Sequence, residues 1–241
     1  MPDARRPSEE AVRRHPHLGE PSPPGSLRVD CHLHTMWSGD STTTPDELAE
    51  ALASAAIDVA CITDHSTIRG ALRLAGSLDC RVVVGQEQRT PDGELIGLFL
   101  TEPVPAGLRD AEAAARAIRA QGALVYVPHP FDPMRHRLRA AAFERLAGEG
   151  LLDIVEVRNA KTSLESLNEE ARAAADRFGL AAGAGSDAHV PEAIGAAYVE
   201  MPEFDGPKSF LGGLAAGVVK GHHFDSARPW RARVVPSLRG D

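Results

Sequence analysis

Short apolar runs alternate with amphipathic segments along most of this chain, and the alternation begins at Leu27. The runs are rich in β-branched residues, and most are followed by apolar positions at helical spacing. The predicted strands lie at 27–33, 57–63, 81–88, 94–100, 123–128, 152–158, 180–185 and 196–201. Repeated strand–helix units of this kind predict a mainly parallel sheet.

Capping residues mark two of the predicted helix boundaries. Thr44 precedes Pro45 and a stripe of leucine and alanine, which predicts an N-cap followed by proline in the first helical position. Gly179 follows the helical pattern of 163–178 and predicts its C-terminal end. Further helices are predicted near 66–77, 108–121, 138–149 and 207–218.

The third and fourth runs are joined differently from the others. Only turn-forming residues, Thr90 to Gly93, separate them, so we predict a hairpin. About seven strands in a chain of 241 residues favour a closed or nearly closed α/β barrel over an open sheet.

The two ends of the chain lack the alternation. Residues 1–26 are polar and proline-rich, which predicts a disordered leader with His15 and His17 in solvent. His222 and His223 are predicted to lie in a surface turn, and residues 225–241 to form a C-terminal tail. The barrel itself is predicted over residues 27–224.

Composition narrows the classes of function. The formal net charge is -8 without a basic block, which argues against a stable nucleic-acid complex. Three cysteines without CxxC spacing indicate a reduced compartment, so we predict a cytoplasmic protein. No apolar stretch approaches the ~20 residues of a membrane span, so no membrane association is predicted. Glycine-rich phosphate loops are also absent from the sequence.

Metal-binding residue types recur where predicted strands end. The carboxyl ends of parallel strands meet at one edge of a sheet, so these side chains are expected to share a pocket. Imidazole and carboxylate without thiolate suit zinc, manganese or iron. The sequence therefore predicts a centre holding more than one divalent ion, built from His32, His34, His65, Glu87, His129, Asp187 and His189.

Spacing refines the roles of these residues. His32 and His34 are two residues apart and face one side of a strand, and the Asp187–His189 pair repeats this spacing. Asp30 is predicted to orient an imidazole from behind. A carboxylate inside a β-run is costly unless it is paired or metal-bound. Glu87 is such a carboxylate and can bridge two cations ~3.5–4 Å apart.

Two acidic residues each have a structural interpretation as well as a functional one. Asp40 lies in a loop with Gly39 and is either a turn residue or a carboxylate folded back over the pocket. Asp64 precedes His65 and either caps the next helix or supports the pocket from behind.

The ordered motifs Asp-x-His-x-His, Thr-Asp-His, Gly-x-Glu, Pro-His-Pro and Ser-Asp-Ala-His resemble those of the polymerase and histidinol phosphatase (PHP) family. The resemblance covers residues 27–204. It implies a distorted (β/α)7 TIM-like barrel with two or three divalent ions, Zn, Mn or Fe. It also implies a set of ligands: His32, His34 and Asp187 for one ion, Asp40, His65 and His189 for a second, Glu87 as the bridge, and His129 for a third.

The chain departs from the family pattern at one position. Glu94 stands where a histidine is usual, so it is either a ligand of the third ion or a cover for the hairpin edge. Asn159 resembles the asparagine that often closes the sixth strand in the family and is predicted to contact substrate or support the site. Arg158, Arg135 and Lys161 are basic residues near strand ends, and Arg158 and Arg135 are predicted to bind substrate.

The predicted function is metal-dependent hydrolysis of a phosphate ester on a small metabolite, a nucleotide or a short oligonucleotide. Two ions would lower the pKa of a bridging water, and the resulting hydroxide would attack phosphorus. Asp64, Asp187 or His189 would transfer protons. Two alternatives stay open: a metallohydrolase with amidohydrolase-like chemistry on a substrate without phosphate, and a metal-stabilised accessory module without activity.

Overall fold

The strands form one sheet in the computed structural model, which describes residues 6–225. In chain order they are β1 Leu27–Leu33, β2 Val59–Ile62, β3 Arg81–Thr90, β4 Gly93–Leu98, β5 Leu124–Val127, β6 Ile154–Asn159, β7 Ala181–Gly185, β8 Ala197–Met201 and β9 Val218–Gly221. Across the sheet the order is β7-β6-β5-β4-β3-β2-β1-β8-β9.

The sheet nearly closes on itself. β1, β2 and β3 pair in parallel, as do β5, β6 and β7, whereas β4 runs antiparallel to both of its neighbours. Beyond β7 the chain returns to β1, where the Asp187 amide donates to the His32 carbonyl at 2.7 Å and the His34 amide donates to the Ala188 carbonyl at 3.0 Å. The fold is therefore the distorted TIM-like barrel predicted from sequence.

Helices cover the outside of the barrel. Their bounds are α1 Glu9–Arg14, α2 Pro45–Ala55, α3 Arg69–Leu74, α4 Ala111–Arg119, α5 Ala140–Gly148, α6 Glu165–Phe178 and α7 Pro207–Ala216. The capping predictions are confirmed: Thr44 forms a capping box with Glu47, and Gly179 ends α6 at a φ of 64°. No helix within residues 6–225 is both long and apolar enough to cross a membrane.

The apolar core has two layers. Strand residues such as Val29, Val83 and Tyr126 form one cluster, and helix residues such as Leu52 and Ile118 pack against the strands in two others. The predicted β3–β4 hairpin is present. With both faces of the strands covered, polar side chains collect where the strands end.

The segment before β1 is ordered over much of its length, so the predicted disordered leader is wrong there. Ser8 caps α1, and its amide donates to the Ser54 carbonyl at the end of α2 at 2.8 Å. Ala11 and Leu18 are buried against the barrel. Two apolar contacts are too few to produce a periodic pattern, yet they hold a short segment on an existing surface.

His15, His17 and His222 also pack, contrary to prediction, whereas His223 is exposed as predicted. His15 is 1 % exposed, and its Nδ1 lies 2.9 Å from His222 Nε2. His17 Nε2 lies 2.9 Å from the Gly195 carbonyl, and His223 Nδ1 lies 3.0 Å from the Ala160 carbonyl. Part of the segment before residue 27 therefore packs against the barrel. Residues 226–241, most of the predicted tail, lie outside the described range.

Candidate metal centre

The carboxyl ends of the strands bring the predicted ligands together. Within residues 6–225, three groups of side chains offer ligand atoms that lie within 4.8 Å of one another. His34 and His65 each belong to two groups, so the groups form one continuous centre. The groups are His32, His34 and Asp187, then His34, Asp40, His65 and His189, then His65, Glu87 and Glu94.

Glu87 occupies the middle of this centre, at the end of β3. Its Oε2 lies 3.6 Å from His32 Nε2, 3.3 Å from His34 Nε2 and 3.2 Å from His65 Nδ1. Its Oε1 lies 3.3 Å from His129 Nε2. Its two carboxylate oxygens therefore face four imidazoles from three separate segments of the chain.

The hydrogen bonds of the first pair of imidazoles leave their inner nitrogens as acceptors. His32 Nδ1 lies 3.1 Å from Glu156 Oε1, and His34 Nδ1 lies 2.9 Å from Ser38 Oγ. When each Nδ1 carries the proton and donates it outward, each Nε2 has a lone pair directed inward. These two Nε2 atoms are only 3.0 Å apart. A divalent ion between them would accept both lone pairs.

His189 and His65 also direct ring nitrogens at one carboxylate, that of Asp40. His189 Nδ1 lies 2.8 Å from the Asp187 carbonyl, which leaves Nε2 directed at Asp40 Oδ2 at 3.0 Å. His65 Nε2 lies 3.3 Å from the same oxygen. Burial alone would raise the pKa of Asp40, but the hydrogen bonds to His189 and His65 hold it well below its usual range. The Asp40 carboxylate thus folds back over the pocket.

The spacing of the donor atoms fits a metal ion. Metal–ligand distances of ~2.0–2.2 Å imply ligand–ligand distances of roughly 3.3–3.6 Å in a tetrahedral site. Around His32 and His34 the observed distances run from 3.0 Å between the imidazoles to 3.7 Å between His32 Nε2 and Asp187 Oδ1. The residues present therefore suit a divalent ion in donor type and in spacing.

Glu156 supports the centre and is the residue that sequence reasoning missed. Besides His32 Nδ1, it accepts from the Tyr126 hydroxyl at 2.9 Å, the His129 amide at 2.7 Å and Asn159 Nδ2 at 2.9 Å. Burial alone would lower the pKa of His32, but Glu156, Asp187 and Glu87 raise it well above the usual value. The available signal was a glutamate alternating with valines in a predicted strand.

Asp30 does not have the predicted role of orienting an imidazole. Its Oδ1 accepts the His32 amide at 3.2 Å and the Ser186 amide at 3.0 Å, so it joins β1 to the segment after β7. Burial raises the pKa of Asp30 to about 7, although these hydrogen bonds act to lower it. The register of β1 against β2 shifts between Asp30 and Leu33, and such a bulge re-aims side chains.

Asp64 also lies behind the centre, as one of its two sequence interpretations predicts. Its two oxygens accept the Thr35 amide and the Thr35 hydroxyl, each at 2.7 Å. Burial raises its pKa to about 7, although these bonds oppose the shift. Neighbouring residues of an extended chain point in opposite directions, so His65 reaches the centre while Asp64 holds the loop that follows β1.

Glu94 lies at the edge of the centre, on β4. It is 3 % exposed, and its Oε1 accepts from Arg89 Nε at 2.8 Å. Its Oε2 lies 3.8 Å from His129 Nε2. Glu94 therefore covers the hairpin with one oxygen and faces the metal-binding groups with the other.

Backbone strain and close packing coincide with the site. Ser66, His129 and Asp187 adopt positive φ angles of 58°, 30° and 49°, which L-residues rarely do. A Cβ at Gly185 would lie 2.8 Å from the His32 amide nitrogen and nearer still to His32 Cβ. Only a glycine therefore fits at position 185 next to His32.

The basic residues divide into two groups. Arg135 Nη2 lies 3.3 Å from Asp187 Oδ2, and Lys161 Nζ lies 3.1 Å from Asp187 Oδ1. Burial alone would raise the pKa of Asp187, but Lys161, His32 and Arg135 hold it well below the usual range. Arg158 instead pairs with Glu165 outside the centre, away from the groups that could hold an ion.

Asn159 supports the centre from below. Its Nδ2 donates to Glu156 Oε2 at 2.9 Å and to Asp187 Oδ2 at 3.3 Å, and the side chain is buried. The register of β6 against β7 shifts between Glu156 and Arg158. This irregularity accounts for Glu156 and Asn159 both facing inward while Arg158 turns outward.

Known proteins share both sequence and fold with this chain. A family model described as PHP domain matches residues 30–119, and one described as PHP-associated matches residues 165–219. Two uncharacterized proteins of Methanocaldococcus jannaschii, MJ1587 and MJ0417, are 37 % and 36 % identical, over 56 % and 77 % of this chain and 82 % and 78 % of their own lengths.

Solved structures agree on the fold. One is a two-domain protein of Bacteroides vulgatus containing a predicted PHP-like metal-dependent phosphoesterase, with a TM-score of 0.66, 20 % identity and coverage of 84 % of this chain and 67 % of that one. Another is an amidohydrolase of Chromobacterium violaceum with bound sulfate, with a TM-score of 0.55, 17 % identity and coverage of 68 % and 88 %.

Proposed function

This chain belongs to the PHP family, and we propose that it is a metal-dependent hydrolase of phosphate esters. The observation that carries the proposal is the position of Glu87, whose two carboxylate oxygens face four imidazoles from three segments. A carboxylate shared in this way is what a centre with two neighbouring ions requires. When bound, such ions activate water and offset the charge that develops on a transferring phosphoryl group.

The residues proposed to hold the ions follow the three groups. His32, His34 and Asp187 would hold one ion, and Asp40, His65 and His189 a second, with Glu87 shared between them. Glu94 and His129 flank Glu87 and would hold a third. Zinc, manganese and iron suit this set of imidazoles and carboxylates.

The surrounding residues provide orientation and substrate contacts. Glu156 and Ser38 orient His32 and His34 through their outer nitrogens. Arg135, which contacts Asp187 at 3.3 Å, would bind a phosphoryl oxygen. Asp187 and His189 remain our candidates for proton transfer, and we place the protein in the cytoplasm with a small phosphorylated substrate and no stable nucleic-acid complex.

The test combines metal analysis with a substrate screen. Protein loaded separately with Mn²⁺, Zn²⁺ or Fe²⁺ is assayed against phosphomonoesters and phosphodiesters, with amides and carboxylic esters in parallel. Asp187→Asn should lose bound metal and activity together. The matched control is Asp176→Asn on the exposed face of α6, which should leave both unchanged.

The outcomes separate the proposal from its alternatives. Turnover of amides or carboxylic esters without turnover of phosphate esters would favour amidohydrolase-like chemistry. Full metal occupancy without turnover of any substrate would favour a metal-stabilised accessory module. Hydrolysis of phosphate esters that depends on Asp187 supports the proposal.

A further inference from the structure

Three histidines from the two ends of the described chain meet against the barrel. His15 and His17 lie in the N-terminal segment, residues 8–20, and His222 follows β9. The centroid of the His222 ring lies 5.2 Å from that of His15 and 5.2 Å from that of His17. None of the three belongs to the metal-binding groups found within residues 6–225. We call them the terminal histidine cluster.

The cluster joins the N-terminal segment to the chain between β7 and β8. His15 Nε2 lies 2.9 Å from the Glu192 carbonyl, and His17 Nε2 lies 2.9 Å from the Gly195 carbonyl. His15 Nδ1 lies 2.9 Å from His222 Nε2, so the end of β9 is joined as well. Imidazoles therefore hold together segments that are far apart in the sequence.

These contacts are made by neutral imidazoles. A ring that donates from Nε2 to a carbonyl keeps a lone pair on Nδ1 as long as it is neutral. His15 Nδ1 can then accept from His222 Nε2. His15 is 1 % exposed, and its ring centroid lies 4.9 Å from that of Phe224. A charged imidazole at this position would lose its hydration next to a second histidine.

The surroundings favour the neutral rings. Burial is the main reason why the pKa of His15 and that of His17 each fall to about 4, although the carbonyl contacts act to raise them. Glu192 contributes its carbonyl, and its side chain is exposed. The other charged and titratable groups that face the three rings are Arg14, Arg28, Arg158, Tyr198, His223 and Glu20. Of these only Glu20 is acidic, and it pairs with Lys220.

We propose that the terminal histidine cluster is a pH-sensitive attachment, which holds the N-terminal segment on the barrel near neutral pH and releases it in mild acid. Release exposes the apolar surface under Ala11 and Leu18, which belong to one cluster with Ala55 and Ile194. The inference goes beyond the proposed function and does not depend on it, because these residues neither hold metal nor contact substrate in that proposal.

The direction of the effect follows from where protons bind. In a released segment His15 and His17 have the ordinary pKa of ~6.5, whereas in the attached segment both pKa values are lower. Protons therefore bind preferentially to the released state, and attachment weakens as the pH falls from ~6.5 towards 4. Between pH 7.5 and pH 5.0 the ratio of released to attached segment rises about 10–30-fold for each histidine.

The test is hydrogen–deuterium exchange of the full chain at pH 7.5 and pH 5.0, measured on peptides that cover residues 8–20. Labelling times are scaled for the intrinsic effect of pH on amide exchange. After that correction we expect exchange of this segment to accelerate at least about tenfold at pH 5.0, while the peptide of α5 keeps its protection. Equal protection of residues 8–20 at both pH values, or an equal loss in α5, would overturn the inference.

Variants assign the effect to the histidines. The double substitution of His15→Gln and His17→Gln keeps side-chain amides that can donate to both carbonyls but do not titrate near pH 5. Whether its N-terminal segment is attached or released, exchange should differ less than about threefold between the two pH values. His136→Gln is the matched control, because His136 is exposed and lies outside the cluster, and it should respond as wild type does. A wild-type pH response in the double variant would refute the role of His15 and His17.

Discussion

Glu156→Gln tests whether one buried carboxylate organises the metal centre. Glu156 accepts hydrogen bonds from the His32 imidazole, the Tyr126 hydroxyl, the His129 amide and the Asn159 side chain. Glutamine has nearly the same shape but keeps only one acceptor oxygen. Whichever way its amide is turned, two of the four donors then face an NH₂ group.

The magnitude follows from these contacts. Leaving a buried donor unsatisfied costs ~1–3 kcal/mol, so two such donors lower the free energy of unfolding by about 2–6 kcal/mol. In a chain of this length that corresponds to a drop in Tm on the order of 10 °C. Because His32 would also lose its orienting acceptor, we expect metal affinity to fall roughly 10–100-fold.

The assay measures stability and metal affinity separately. Thermal unfolding is followed by circular dichroism in chelator, and metal affinity by competition with a chelating dye. Tyr126→Phe is the control, because it removes one donor and leaves the carboxylate intact, so metal affinity should stay within about twofold. If Glu156→Gln loses stability but keeps wild-type metal affinity, Glu156 only joins the strands and does not orient His32.

Three further predictions address other parts of the structure. His32→Ala should reduce metal content, measured by mass spectrometry, and leave the far-ultraviolet dichroism of the barrel largely intact; full occupancy would exclude His32 as a ligand. Gly185→Ala should lower Tm by several degrees because its Cβ meets β1, whereas Gly148→Ala, with open space around its Cβ, should not; equal Tm values would refute the packing argument. Burial lowers the pKa of His15 to about 4, so its contribution to stability is complete above pH ~6.5 and is lost as the pH falls towards 4. We expect urea unfolding to show a loss of ~1–2 kcal/mol between pH 7 and pH 5 that His15→Gln reduces; an identical pH dependence would refute it.

Much of the fold was predictable because the local sequence signals for strands, helices and caps agree with the secondary structure that the folded barrel adopts. The period of the apolar runs, the Thr44 cap and the terminal Gly179 each depend on a few neighbouring residues. The metal centre was predictable for a related reason. Parallel strands in a barrel end at one rim, so ligands at strand ends meet without any knowledge of the packing between them.

The tertiary structure decided which polar residues face the centre and which lie behind it. Asp30 and Asp64 are near ligands in sequence, but one joins β1 to β7 and the other holds Thr35. Arg158 was a reasonable phosphate ligand by position, yet an irregularity in β6 turns it to Glu165. Glu156 acquires its role only where β1, β5 and β6 meet.

The sequence by itself thus determined the elements, the barrel and most of the residues that meet at its rim, because these depend on periodicity and on where strands end. It could not determine the order of the N-terminal segment, the partner of each carboxylate or the placement of Lys161 beside Asp187. Those depend on bulges, tautomers and contacts between residues far apart in the chain, and only the folded structure sets them.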